Sequence, residues 1–160
     1  MSNRSPRLAL YQPDIPQNAG TLLRLSACLG VAVEVIEPCG FLWDERRMRR
    51  AGMDYLATVQ VRRHLSFAAF DAAMAAEGRR LVLLTTKARL RLDRFAFSPD
   101  DVIMVGRESV GVPPEVAAAA AVSLRVPMAA GMRSLNVALA ATLALGEACR
   151  QLGAYPEESS

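Results

Sequence analysis

The stretch RLVLLTTKARLRLDRFAFSPDDVIMVG, residues 80–106, holds two apolar runs, RLVLLTT (80–86) and DVIMVG (101–106), joined by a basic connection. Neither run alternates apolar with polar residues. An almost unbroken run of Leu, Val, Ile and Met suits a strand covered on both faces, and such strands belong to parallel sheets. The same pattern recurs on either side. RLALY (7–11) and VAVEVIE (31–37) read as strands. Between them, PQNAGTLLRLSACLG (16–30) reads as a helix, with Leu22, Leu25 and Leu29 at helical spacing and Gly30 as its stop. DERRMRRAG (44–52) predicts a short basic helix ending in Gly, and ATVQV (57–61) a weak strand. SFAAFDAAMAAEG (66–78) predicts a helix with Ser66 as N-cap and Gly78 past its end. PPEVAAAAAV (113–122) opens a helix on proline, SLRVPM (123–128) is a last strand, and a helix from about Ser134 to Leu152 closes the chain. Strand and helix alternate throughout, which predicts an α/β fold with a mainly parallel sheet flanked by helices. One domain over residues 1–160 is expected, with 1–6 and 154–160 frayed; no repeat or linker interrupts it.

A chain of 160 residues that is 52% hydrophobic can bury a core without disulfides or metal, and it is not a disordered composition. Cys28, Cys39 and Cys149 each sit in an apolar run and read as buried free thiols of a reducing compartment. No CxxC or His/Cys cluster offers a metal site. The N-terminal residues lack the apolar stretch of a signal peptide. The longest apolar run, 116–122, falls far short of the roughly 20 residues a membrane span needs. A soluble cytoplasmic protein, with no membrane partner, is therefore expected. Net charge is +3, and every basic residue but Lys87 is Arg. The clusters RRMRR (46–50), Arg62-Arg63 and KARLRLDR (87–94) suit phosphate backbones, which guanidinium forks match; a solvated Arg-rich surface accounts for them equally.

In open parallel sheets, ligands bind outside the carboxyl ends of the strands. The segments there are QPDIPQNAG (12–20), EPCGF (37–41), TTKARL (85–90), GRESVGVPPE (106–115) and PMAAGMRSLN (127–136). None is a GxGxxG fingerprint, a P-loop or a GxSxG elbow, so familiar dinucleotide, NTPase and hydrolase readings lose support.

Three segments carry a more specific signal: PQNAGTLLRL, VGRESVGVP and RVPMAAGMRSLNVALAAT. With IEPCGFLWD, RRAGMDY, LTTK and EACRQLG in order between and after them, the chain from about Leu8 to Gly153 resembles the SPOUT-class RNA methyltransferases. Within that class it is most similar to the small enzymes that methylate the ribose 2′-hydroxyl of the wobble nucleotide in tRNA. The resemblance implies a C-terminal trefoil knot, which no periodicity would suggest because knots are nearly absent among folds. It implies S-adenosylmethionine as cofactor, with S-adenosylhomocysteine as product. The implied partner is a tRNA anticodon stem-loop with a wobble cytidine or modified uridine, leucine tRNAs being the expected substrates. It also implies a homodimer with the active site near the subunit interface. Carried over by position, Arg24, Asn18, Glu108, Ser134 and Asn136 form the catalytic set. Leu84, Gly106, Val126 and Ser134 form the cofactor set. Two departures stand out: Arg107 occupies the place of a proline in the second motif, and Gly131-Met132 that of Asp-Ser in the third.

The residues themselves leave alternatives open. Arg24 suits gripping an RNA phosphate and the hydroxyl oxygen, or merely a solvated helix face; it stays protonated and is a poor free base. Asn18 suits orienting Arg24 or capping its helix. Glu108 suits anchoring a ligand loop or pairing with Arg107 or another Arg. Ser134 reads as the N-cap of the last helix, with Asn136 in its first turn. Leu84 and Val126 suit an adenine sandwich or plain sheet core. Leu135, Leu139, Leu143 and Ala144 suit the core and a second subunit. His64 reads as an ordinary loop residue, and Phe41 and Trp43 as base-stacking aromatics or as packing for the basic helix. Two competing functions remain: a non-catalytic RNA-binding module on the same knotted fold, and an unknotted flavodoxin-like protein binding a small nucleotide.

Overall fold

A computed structural model describes residues 4–51 and 53–159. Gly52, expected to end the basic helix, lies outside the described residues, as do residues 1–3 and 160 of the expected frayed ends. The elements run β1 (Arg7–Tyr11), α1 (Pro16–Leu29), β2 (Val33–Ile36), α2 (Glu45–Arg50), β3 (Val61–His64), α3 (Phe67–Ala76), β4 (Arg80–Leu84), β5 (Leu90–Arg91), β6 (Asp101–Val105), α4 (Pro114–Ala119), β7 (Val122–Arg125) and α5 (Val137–Leu152). Short 3-10 turns cover Asp54–Ala57 and Leu92–Arg94. Seven strands form one sheet in the order β3-β2-β1-β6-β4-β7-β5, and every pair is parallel.

Period-two alternation sends the strand side chains to two cores. In β1, Leu8 and Leu10 join Leu22 and Leu23 of α1 and Ala141 and Leu145 of α5. Ala9 and Tyr11 face the other side, with Phe70 and Met74 of α3 and Val116 of α4. β6 is buried along its whole length: its apolar residues are covered on both faces, and Asp101 at its start is paired with Arg80. The helix ends follow local chemistry. Gly30 closes α1 at φ 67°, and Ser66 caps α3 by accepting from the Ala69 N–H at 3.1 Å. At the margins, Arg4 pairs with Asp100, the Ser5 carbonyl accepts from Arg79 at 2.8 Å, and the Tyr155 hydroxyl donates to the Gly146 carbonyl at 3.2 Å.

Four local expectations are corrected. The third strand is not 57–61 but Val61–His64, so His64 lies in a strand and is buried. Two adjacent arginines hid this strand; their charges are met by Glu34 and Glu77 for Arg62, and by Glu37 for Arg63. The last helix begins at Val137, not Ser134, because Asn136 caps it. The short edge strand β5 is too brief to leave a sequence period. Finally, Cys28 is exposed on the outer face of α1 and Cys39 half-buried; only Cys149 is a buried thiol.

Candidate active site

Parallel pairing brings the carboxyl ends of β4, β6 and β7 to one edge of the sheet. A cavity of about 430 Å³ opens there, within the roughly 300–1,000 Å³ of small-molecule sites. Its walls come from the segments that follow those strands. Leu84, Gly106, Val126 and Ser134, the expected cofactor set, all line it. Asn18, Glu108 and Asn136 line it as well.

Gly106 starts a turn that doubles back on itself. The Arg107 N–H donates to the Gly111 carbonyl at 3.2 Å, and the Gly111 N–H returns to the Arg107 carbonyl at 2.8 Å. A Cβ at Gly106 would lie 2.9 Å from the Gly111 backbone, so only glycine fits this close approach. Arg107 turns away from Glu108: its Nε donates to the Gly111 carbonyl at 3.3 Å, and its guanidinium lies 5.6 Å from the Tyr11 ring centroid. Arginine in place of proline therefore braces the turn and itself lines the cavity.

The helix caps define a second wall. Asn136 Oδ1 accepts from the Ala138 N–H at 2.8 Å and from the Leu139 N–H at 3.3 Å. With its oxygen committed to the helix, the Asn136 amide points Nδ2 outward, and this donates to Asn18 Oδ1 at 3.2 Å. Asn18 is inside α1 rather than at its cap, which is Ile15 with no side-chain bond. Ser134 is exposed beside the cavity and does not cap the helix.

Glu108 pairs with a residue sequence reasoning did not single out. Its N–H donates to Asp14 Oδ1 at 3.1 Å, and the Asp14 N–H donates to Glu108 Oε2 at 3.2 Å. The hydrogen bond from Glu108 holds the Asp14 carboxyl down at about 2, while burial and Asp14 push Glu108 up. No spacing could have revealed the pair, because 94 residues separate its members.

Arg24 stands apart from the other expected residues. It is exposed on α1, six residues beyond Asn18 and therefore roughly 9 Å along the helix axis, and it does not line the cavity. Its guanidinium lies 5.4 Å from the Tyr55 ring centroid, and the Tyr55 hydroxyl donates to the Gly20 carbonyl at 3.0 Å. His64 is also elsewhere: its Nε2 sits 2.7 Å from Glu34 Oε2 and its ring packs edge-on to Phe70. Trp43 is buried and stacks on Phe41 at 6.2 Å, which favours packing over base stacking for that pair. Among the described residues no cluster of His, Cys, Asp and Glu could hold a metal ion, and no helix is long and apolar enough to cross a membrane.

The family model described as SpoU rRNA Methylase matches residues 5–146. A protein of Beijerinckia indica named tRNA (cytidine(34)-2'-O)-methyltransferase is 58% identical over 147 residues, covering 92% of each chain. A solved structure described as "Structural insights into the 2-OH methylation of C/U34 on tRNA" superposes with a TM-score of 0.86 at 41% identity, covering 94% of this chain and 97% of that one. An AdoMet-bound rRNA methyltransferase of Sinorhizobium meliloti superposes with a TM-score of 0.81 at 26% identity, over 92% of this chain and 57% of that one.

Proposed function

The chain belongs to the SpoU rRNA methylase family, and from that premise we propose that it methylates the ribose 2′-hydroxyl of the wobble nucleotide in tRNA, with S-adenosylmethionine as methyl donor. The observation that carries this reading is the convergence of seven of the eight expected residues on one cavity at the carboxyl ends of β4, β6 and β7. The donor set fits the cofactor. Leu84 and Val126 offer apolar walls to an adenine, Gly106 lets backbone approach closely, and the Ser134 hydroxyl is free of the helix it was expected to cap. When bound, S-adenosylmethionine supplies an electrophilic methyl group and leaves as S-adenosylhomocysteine.

The protein's own work is to bind, orient and help remove a proton. The Arg24 guanidinium grips an RNA phosphate and the 2′-oxygen, stabilising negative charge as the hydroxyl proton leaves. Asn18 and Asn136 hold the wall between that arginine and the cofactor, and Glu108 anchors the turn carrying Gly106. The 2′-hydroxyl is thereby oriented for in-line attack.

The chain acts as one cytoplasmic domain over residues 1–160, closed by a trefoil knot. It works as a homodimer with its site near the subunit interface. Leu139 and Leu143 support this: both are half-exposed on α5, with Leu135 and Met132 exposed just before it. The substrate is the anticodon stem-loop, in leucine tRNAs, with cytidine or modified uridine at the wobble position.

The test is methyl transfer by the purified protein to total tRNA, followed by mass-spectrometric mapping of ribose methylation. Methylation confined to the wobble ribose is the expected result. A protein that takes up tRNA but binds no S-adenosylmethionine is a non-catalytic module, and the proposal is then wrong.

A further inference from the structure

The segment entering α1 and the turn after β6 are tied together through Asp14, which does not line the cavity. Its Oδ1 accepts from the Glu108 N–H at 3.1 Å, its Oδ2 accepts from the Ser109 hydroxyl, and its own N–H donates to Glu108 Oε2 at 3.2 Å. Gly40 closes the opposite side: its N–H donates to the Pro13 carbonyl at 2.9 Å, and a Cβ on it would lie 2.8 Å from Asp14 Cβ. Asp14 is thus boxed between two loops, with every oxygen of its carboxylate engaged. Burial and the neighbouring Asp14 push the Glu108 carboxyl up, while the contact with Glu108 pulls Asp14 down.

Resting on the methyl-transfer reading above, we propose that Asp14 is a positioning residue: it pins the Gly106–Gly111 turn to the entrance of α1 and so sets the cofactor cradle relative to Asn18 and Arg24. The physical reason is connectivity. Gly106 and Glu108 follow β6, whereas Asn18 and Arg24 ride on α1, and these elements meet at the cavity only across loops. A loop is the softest part of such a frame. Three hydrogen bonds convert two loops into one unit.

Asp14→Ala in the full chain tests this with two readouts. Amide exchange at Glu108–Gly111 is expected to accelerate about tenfold or more, while exchange in α5 is unchanged, the mark of a local rather than global opening. Glu108→Gln, whose main-chain N–H still donates to Asp14 and whose Oε1 still accepts from the Asp14 N–H, keeps that segment protected. In the methylation assay, Asp14→Ala lowers kcat about 10- to 100-fold, with the KM for S-adenosylmethionine changed about threefold at most, as misplacement without lost contact demands. Unchanged exchange at Glu108–Gly111 overturns the clamp, whether or not the wild-type protein transfers methyl groups. Accelerated exchange with full kcat, or equal acceleration in α5, overturns the positioning role. If the wild-type protein itself transfers no methyl group, the functional reading falls while the exchange experiment still decides the clamp. If Asp14→Ala does not fold, Ser109→Ala removes one of the three bonds and carries the same exchange test.

Discussion

Asn136 holds α5 with one end of its amide and Asn18 with the other: Oδ1 takes two helix N–H groups, and Nδ2 donates across 3.2 Å to a residue 118 positions earlier. A single side chain thus caps the last helix and joins it to the first. Asn136→Ala removes the cap, and we expect a loss of about 1 kcal/mol, or roughly 2–4 °C in Tm. Asn136→Asp, which keeps an acceptor at the positive end of the helix, restores most of it. Equal melting of the Ala and Asp variants would show that the cap is not the source of the loss.

Gly106→Ala places a Cβ 2.9 Å from the Gly111 backbone, and backbone cannot swing aside as a flexible side chain does. The turn must open. Overpacking of this kind costs about 1–3 kcal/mol, so affinity for S-adenosylmethionine falls roughly tenfold or more. Calorimetry of the variant with the cofactor alone reads this directly; an undiminished affinity refutes the cradle.

Arg24 lies outside the cavity, so its removal separates chemistry from cofactor binding. Arg24→Ala leaves cofactor affinity intact and lowers methyl transfer at least about 100-fold through lost orientation and charge stabilisation. Arg24→Lys does not rescue it, because a point ammonium lacks the planar fork. An active Lys variant, or a cofactor-blind Ala variant, contradicts this assignment.

Away from the site, Glu77 accepts from Arg62 and Arg7, both at 2.7 Å, and chiefly the Arg62 bond lowers its carboxyl from 4.5 to about 2. A group depressed in the folded state stabilises the fold above its unfolded value and ceases to do so as pH falls through the folded one. The Glu77 contribution is therefore whole at neutral pH and fades between about 4.5 and about 2. Melting curves of wild type and Glu77→Gln should differ most near neutrality and converge toward the acid end; a constant gap assigns the pair no role.

Sequence reading recovered what local rules govern. The apolar runs at 80–86 and 101–106 marked covered parallel strands, and Gly30, Ser66 and Pro114 marked helix boundaries where they occur. It failed where a distant partner decides. Val61–His64 reads as polar because Arg62 and His64 meet a buried Glu34 on the neighbouring strand, a compensation invisible from either segment alone. Ser134 and Asn136 are both good caps by residue type; which one takes the role depends on where the chain leaves the cavity. The ordered motifs marked seven residues that share the cavity, but Asp14 became visible only once the fold brought it to Glu108.

The strand order carries a consequence for synthesis on the ribosome. Among the described residues, β6 is the one strand that pairs with both β3-β2-β1 on one side and β4-β7-β5 on the other. A nascent chain stalled before Asp101 therefore holds one sheet fragment, β3-β2-β1, and a β4 with no strand to pair with. Even after β6 emerges, β5 has no neighbour until β7 arrives to separate it from β4. Assembly is weighted toward the closing third of translation, and a topology so dependent on remote pairings collapses into order slowly.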